Sequence, residues 1–307
     1  MWTALVLAAL VAAGCAAYVA WALHSVALGA PVWPFIVGFP FAYLAFPLLF
    51  TAFWFVLGWR FRAERPEDVR LRWTAWCAMF WREFVSIARS PLRMILYRWL
   101  MPDPAPSPAA MPIVLLHGVG CNAGFWSGFR RDFERRGLGP LYALSYGPPL
   151  HSIEEFADQL ALMIANIEAA TGAQQVVLIG HSMGGLVARA YLRRYGAAKV
   201  RRLVTIGTPH HGSLHAWCMF GQSLAQMRPG NTWLGELNRD ANPAPVPTVS
   251  IWSWHDTMVT PQTSPRIDWA ENVALTGIAH NALLDDGRVR DRVAAEIARA
   301  ATSESPA

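Results

Sequence analysis

The chain has 307 residues, 54% of them hydrophobic and 15% charged, with a net charge of +5 and a mean hydropathy of +0.25. That is too apolar and too sparsely charged for a purely soluble domain. The four cysteines (Cys15, Cys77, Cys121, Cys218) are scattered and form no metal or redox spacing, so neither a disulfide framework nor a Cys-based metal site is expected.

The apolar excess lies at the N-terminus. Residues 2–23 carry no formal charge, and as a helix they would extend about 33 Å, enough for a hydrocarbon core of about 30 Å. A second uncharged run goes from Val32 to Trp59 and holds Pro34, Pro40 and Pro47, which kink a helix but are tolerated in membranes. Trp2, Trp21, Trp33, Trp54 and Trp59 fall partly near the ends of these runs, as an aromatic belt would place them. Residues 1–59 are therefore read as two transmembrane helices. A cleaved signal peptide is the competing reading, but residues 1–14 lack the basic start it needs. Ala12-Ala13-Gly14-Cys15 only faintly resembles a lipoprotein cleavage box, since the apolar run continues past Cys15.

Between Arg60 and Arg98 nine arginines face four acids, a surplus equal to the net charge of the whole chain. A basic stripe beside apolar spans points to a membrane surface and not to nucleic acid. The five arginines just after Trp59, against none between the spans, place the following chain in the cytoplasm by the positive-inside rule. The expected location is the bacterial inner membrane. Residues 60–100 mix these arginines with Trp73, Trp76, Phe80, Trp81, Phe84, Tyr97 and Trp99. They read as one or two amphipathic helices in the membrane interface, broken at Ser90-Pro91. Packing against the domain that follows is the alternative. Residues 101–112 form a Pro/Ala linker and set the domain boundary.

From Ile113 the pattern becomes strand and helix in alternation. Ile113–Leu116, Leu141–Leu144, Val176–Ile179, Leu203–Ile206, Val246–Ser253 and Val273–Leu275 read as strands. Helices are expected through Phe125–Phe133, from a capping box at Ser152-x-x-Glu155 to about Ala170, after Ser182 to Tyr195, and over Asp286–Ala300. Residues 208–245 are rich in Gly, Pro and Asn and read as irregular, and 302–307 as a disordered tail. The expected fold class is α/β, a mostly parallel sheet covered by helices on both faces over residues 113–301, preceded by a helical membrane region.

The chemistry centres on Val176-Val177-Leu178-Ile179-Gly180-His181-Ser182-Met183-Gly184-Gly185. A buried strand runs into Gly-x-Ser-x-Gly and then a helix, the nucleophile-elbow pattern. A serine needs a base and an orienting acid to act as a nucleophile. Downstream, His280 follows the last strand in a loop at the sheet's C-terminal edge, where sites of open α/β sheets form. His255 is the rival base, whereas His210 and His211 fit a loop-shaping role better. Asp256 ends a strand at the same edge and is the preferred acid, with Asp240 and Asp268 as alternatives. Backbone N–H groups of Met183 and Val119 would form the oxyanion hole, with His117 holding the Val119 loop.

The segments Val114-Leu115-Leu116-His117-Gly118, Gly180-His181-Ser182-Met183-Gly184-Gly185, Thr205-Ile206-Gly207-Thr208-Pro209-His210-His211-Gly212, Asp256-x-x-Val259-x-Pro261 and Gly277-x-x-His280 together resemble the α/β-hydrolase superfamily. More narrowly they are similar to bacterial triacylglycerol lipases and esterases, over about residues 112–300. The resemblance implies that residues 209–245 correspond to the stretch carrying the lid in those lipases, here short. The first 110 or so residues have no counterpart in the secreted members. Some of those lipases hold calcium near the catalytic histidine; no full ligand set is matched beside Asp285 and Asp286, so no metal and no cofactor are expected.

The reading is a membrane-anchored serine ester hydrolase with Ser182, Asp256 and His280 as its triad. Its substrate is a lipid-like or other ester, with Phe125, Trp126, Trp217 and Phe220 lining the acyl site. These aromatics could equally be core. An acyltransferase or thioesterase on the same triad is the alternative, and a non-catalytic membrane scaffold a third reading. Nothing in the sequence specifies an oligomeric state.

Overall fold

The computed structural model describes residues 2–109, 111–240 and 246–302. Helices α1 (Trp2–Ala27) and α2 (Trp33–Arg60) form an antiparallel hairpin whose turn uses Gly29 at φ +96°. Tyr18 packs edge-on against Phe39 and Trp21 against Phe35, and the Tyr18 hydroxyl donates to Phe35 O at 2.9 Å. Pro40 and Pro47 lie inside α2 without ending it. Both helices are long and apolar enough to cross a bilayer, and neither is a core helix: 0% of the most apolar window of α1 and 11% of that of α2 are buried.

α3 (Trp73–Ile95) buries one face, with Met79, Glu83, Ser86, Ile87, Ser90 and Met94 recurring at helical spacing. The expected break at Ser90-Pro91 does not occur. Ser90 Oγ donates back to Ser86 O at 2.7 Å, and the helix continues to Ile95. An interior proline costs about 3 kcal/mol; here Met94, one turn on, is buried and holds the last turn in place. A single turn, α4 (Tyr97–Leu100), follows. α3 sits against the sheet domain so closely that a Cβ on Gly124 would run into the Arg93 carbonyl. Asn122 Nδ2 donates to Met94 O at 2.9 Å at the same contact.

The sheet domain continues with β1 (Ile113–Leu116), α5 (Ser127–Arg135), β2 (Leu141–Leu144) and α6 (Ile153–Thr171). Next come β3 (Val176–His181), α7 (Met183–Tyr195) and β4 (Val200–Ile206). α8 (Gln222–Gln226), α9 (Thr232–Asp240), β5 (Thr248–Ser253), β6 (Glu271–Leu275) and α10 (Gly287–Thr302) complete it. The six strands are all parallel in the order β2-β1-β3-β4-β5-β6.

Alternate residues of β1 and β3 feed two cores. Val114, Leu116 and Leu178 meet Phe156 and Leu160 of α6 and Leu186 and Val187 of α7. Ile113, Leu115, Val177 and Ile179 meet Phe129 and Phe133 of α5 and Val289 and Val293 of α10. Covering both faces explains why these strands are apolar at every position and do not alternate.

Three local expectations are corrected. Ser152 Oγ caps α6 through Glu154 N at 3.2 Å, but Glu155 pairs with His151 and does not close the box. Residues 208–245 contain α8 and α9, with Gly221 before α8, Pro229-Gly230-Asn231 between the two, and Asn231 Oδ1 accepting from Trp233 N. Thr302 closes α10; the rest of the expected tail lies outside the described residues.

The docking of α3 predicts that Gly124→Ala lowers the melting temperature of the detergent-solubilised chain, as overpacking by about 1–3 kcal/mol would. Gly235→Ala, on α9 with open space around it, should be neutral or stabilising. Equal melting temperatures for Gly124→Ala and the unsubstituted chain would contradict the contact.

Candidate active site

β3 delivers Ser182 to the sheet's C-terminal edge in a turn of φ +55°, ψ −125°. Only Ser182 and Leu150 among the described non-glycine residues have positive φ. Such a conformation costs about 1–3 kcal/mol and persists only where its surroundings enforce it. Here they do. Ser182 N donates to Ile206 O at 2.8 Å, so the turn is anchored to β4. A Cβ on Gly180 would strike the Gly184-Gly185 backbone, and one on Gly184 the Leu116 carbonyl. The glycines of the motif therefore let β1, β3 and α7 close on one point.

The β1 loop comes equally near, since a Cβ on Gly118 would lie 3.0 Å from Ser182 Cβ. His117 holds this loop: its Nδ1–H donates to Gly118 O at 2.8 Å, its ring stacks on Tyr146 at 3.9 Å, and its carbonyl accepts from the Tyr146 hydroxyl. Burial pushes the His117 pKa down to about 4, so the ring stays neutral. Val119 follows it in the loop, and Met183 opens α7, where the helix dipole favours negative charge.

His280 Nδ1–H donates to Asp256 Oδ2 at 2.8 Å, with both side chains buried. Asp256 Oδ1 accepts from Met258 N and Val259 N, each at 2.8 Å, which orients the other oxygen towards the ring. That bond sets the tautomer and leaves the His280 Nε2 lone pair free. Burial lowers the His280 pKa, but the Asp256 charge, its hydrogen bond and the Glu83 charge together outweigh it, and the net shift is upward from 6.5. His181, beside Ser182, donates from Nε2 to His280 O at 3.2 Å and tilts its ring against His280 at 4.8 Å. Among the described residues no hydrogen bond joins Ser182 Oγ to His280; such bonds are often long until substrate is bound.

Of the competing residues, His255, His210, His211 and Asp268 are engaged elsewhere, and the Asp240 side chain lies outside the described residues. His255 Nδ1 accepts from Gly277 N at 3.2 Å, and burial, with Arg65 nearby, holds its pKa down to about 4. His210 lies between Arg189 and Thr205. His211 donates to Arg266 O. Asp268 is exposed and faces Arg266.

The four aromatics expected at the acyl site are not brought together there. Trp126 is fully buried with Phe129 and Phe133 in the core under α5 and α10, because the turn preceding α5 aims it at the sheet. Phe125 is buried against His181. Trp217 and Phe220 are 62% and 82% exposed, with Arg228 over the Trp217 ring. A small pocket, about the size of one water, lies against the Val119 loop and Met183; Cys121, Tyr146, Leu150, Phe156 and Thr3 of α1 also line it.

Two residues at the site escaped the sequence reading. Gln262, fully buried, donates from Nε2 to Asp256 O (2.9 Å) and Gly58 O (3.1 Å) and accepts from Ala63 N, tying the Asp256 loop to the end of α2. No local signal marks it. Glu83 of α3 binds the backbone after His280. Its signal was available: it is the lone acid of α3 and shares a face with Met79 and Met94.

Residues 111–231 match the family model described as alpha/beta hydrolase fold. A triacylglycerol lipase of Pseudarthrobacter phenanthrenivorans is 36% identical over 109 residues, 33% of this chain and 34% of that one. The 1-acylglycerol-3-phosphate O-acyltransferase ABHD5 of Sus scrofa is 30% identical over 145 residues, 43% and 38% of the two chains. The mature form of Bacillus licheniformis lipase BlEst2 superposes with a TM-score of 0.55 at 18% identity, covering 64% of this chain and 95% of that one. The matches thus span little more than a third of these curated relatives. The chain has an α/β-hydrolase fold. Within that class it resembles the bacterial triacylglycerol lipases.

The histidines predict an acid-labile fold. His117, His181, His210, His215 and His255 all have pKa values lowered from 6.5, chiefly by burial. The unfolded chain therefore binds protons that the native state refuses, and stability falls as pH drops through 6.5 towards the lowered values. His280 acts oppositely: its raised pKa adds stability that is full below 6.5 and is lost as pH rises through the raised value. The melting temperature should fall from about pH 7 to about pH 4.5; a level or rising profile would contradict the neutral buried rings.

Proposed function

We propose that this chain is a membrane-anchored serine ester hydrolase of lipase or carboxylesterase type. The observation carrying the reading is Ser182 on an enforced positive-φ turn, whose chain neighbour His181 contacts His280 of a buried His280–Asp256 pair. In the reaction, Ser182 Oγ attacks the acyl carbonyl while His280 Nε2 takes its proton. Asp256 stabilises the imidazolium. The Val119 and Met183 N–H groups receive the oxyanion, each such donor being worth about 10²–10³ in rate. Collapse expels the alcohol, which takes the proton back from His280. Water, deprotonated by the same imidazole, then releases the acid and regenerates Ser182. The scheme uses no metal or cofactor.

The anchor is the α1–α2 hairpin. Its helices of 26 and 28 residues reach about 39 and 42 Å, ample for a core of about 30 Å. Their outward apolar side chains and the arginines after α2 support two spans with the sheet domain on the cytoplasmic side. Trp73, Trp81 and Trp99 are exposed around α3, in keeping with an interfacial segment over residues 60–100. Resistance of the full chain to alkaline carbonate extraction from membranes is the expected behaviour; release into the supernatant would remove the anchor.

A second reading is acyl transfer to an alcohol acceptor, favoured by the partial match to 1-acylglycerol-3-phosphate O-acyltransferases. The deciding experiment offers p-nitrophenyl esters from acetyl to palmitoyl to the detergent-solubilised chain and to Ser182→Ala. Hydrolysis should drop by at least about 10³-fold in the variant, with long chains preferred by the unsubstituted protein. Equal rates in the two would sink the assignment of Ser182. Turnover only with an added lysolipid or alcohol acceptor would favour transfer.

A further inference from the structure

α3 carries a carboxylate into a place where its helical period calls for an apolar side chain. Glu83 is fully buried, one turn from Met79. Among the described residues no arginine or lysine pairs with it. A buried, unpaired carboxylate is strongly unfavourable unless its lone pairs are met by donors. The donors are all at one spot. Oε1 accepts from Asn281 N at 3.1 Å and Asn281 Nδ2 at 2.7 Å, and Oε2 from Ala282 N at 2.8 Å.

Asn281 and Ala282 are the first two residues of a 3₁₀ turn, Asn281–Asp285, and His280 stands at its head with no side-chain cap of its own. Glu83 supplies that cap from another helix. His280 is thereby gripped three ways: its ring by Asp256, its carbonyl by His181, and the two peptide groups that follow it by Glu83.

The charges facing the ring are few. Asp256 comes from the loop after β5 and Glu83 from α3. His181, at the end of β3, and His215, in the loop after β4, are held neutral by burial. Asp285 and Asp286, further along the turn, are engaged by Arg93 and Arg290, and by Arg82 and Arg288.

We propose that Glu83 is a positioning residue for the reaction at Ser182: it fixes the backbone that carries His280 and adds a second negative charge towards the imidazolium. The proposal rests on the serine-hydrolase reading of Ser182 and His280. On it, the helical region preceding the sheet is part of the active site as well as an anchor. Burial pushes the Glu83 pKa above the ordinary carboxylate value, against the pull of the Asn281 and Ala282 donors and of His280; in its charged form Glu83 adds to the raised His280 pKa after the contributions of Asp256.

The test compares the full chain in detergent with Glu83→Gln and Glu83→Asp. The first readout is the His280 imidazole titration by NMR of histidine-labelled protein, assigned by the signal lost in His280→Ala. The second is the rate and pH dependence of fluorophosphonate labelling, with Ser182→Ala as the blank. Glu83→Gln removes the charge and turns an amide towards Ala282 N. The His280 pKa should fall by about half a unit or more, moving the acid limb of labelling to lower pH, and the rate should drop about tenfold or more. Glu83→Asp keeps the charge on a shorter stem. Its acid limb should stay at the unsubstituted position, with a rate between the other two.

A folded Glu83→Gln with an unchanged His280 pKa and labelling rate overturns the proposal. If Glu83→Gln does not fold, Glu83→Asp decides: an unchanged rate there shows that the reach of the carboxylate is not used. Failure of the underlying reading looks different. Ser182 would then not label in the unsubstituted chain, while the NMR titration would still report whether Glu83 acts on His280.

Discussion

The architecture depends on how closely β1, β3 and α7 approach Ser182. Parallel strands with helices on both faces bring their C-terminal ends to one edge, but they do not by themselves force a residue into positive φ. Contact with Leu116, Ile206 and the first turn of α7 does so, because no side chain at Gly180 or Gly184 intervenes. The serine is held there with positive φ, at +55°. The local strain is offset by the two apolar cores that hold the strands and helices in register.

Around that point, each partner is itself held by something else. Asp256 is oriented by the amides of Met258 and Val259, and its carbonyl by Gln262. His280 is oriented by Asp256, His181 and Glu83. The loop bearing Val119 is fixed by the His117–Tyr146 stack. Preorganised groups of this kind do not have to reorganise when charge develops, which is where most electrostatic stabilisation of a transition state arises. The supports come from two sources, the sheet domain and the N-terminal helices. Gly58 at the end of α2 meets Gln262, and Glu83 of α3 meets Asn281. Thr3 at the start of α1 lines the small pocket against the Val119 loop. The N-terminal helices therefore contact the loops at the same edge of the sheet domain that carries Ser182.

How much of this the sequence revealed follows from the range of each interaction. The strand and helix order of the sheet domain was legible because hydrophobic period, caps and glycines act over a few residues. Ser182 was legible because its turn imposes glycines at fixed offsets. Asp256 and His280 could be named from chain order and their position after strands; the 2.8 Å bond between them, spanning 24 residues, belongs to the packed structure. The sequence leaves Trp126 open between the acyl site and the core, because an aromatic near a site in sequence can point either way; the turn before α5 sends it into the core. Pro91 was read as a helix end by its local chemistry, which the burial of Met94 overrides.

By itself, then, the sequence determined what short-range physics can determine: the α/β pattern, the elbow and its serine, and two apolar runs long enough to span a bilayer. The tertiary structure decided which distant groups meet. Glu83 and Asn281 lie 198 residues apart, and Gln262 and Gly58 lie 204 apart. Nothing in either neighbourhood encodes the other, because a hydrogen bond constrains separation in space and leaves separation along the chain free. The same packing decided that the aromatics expected at an acyl site are partly core and partly surface.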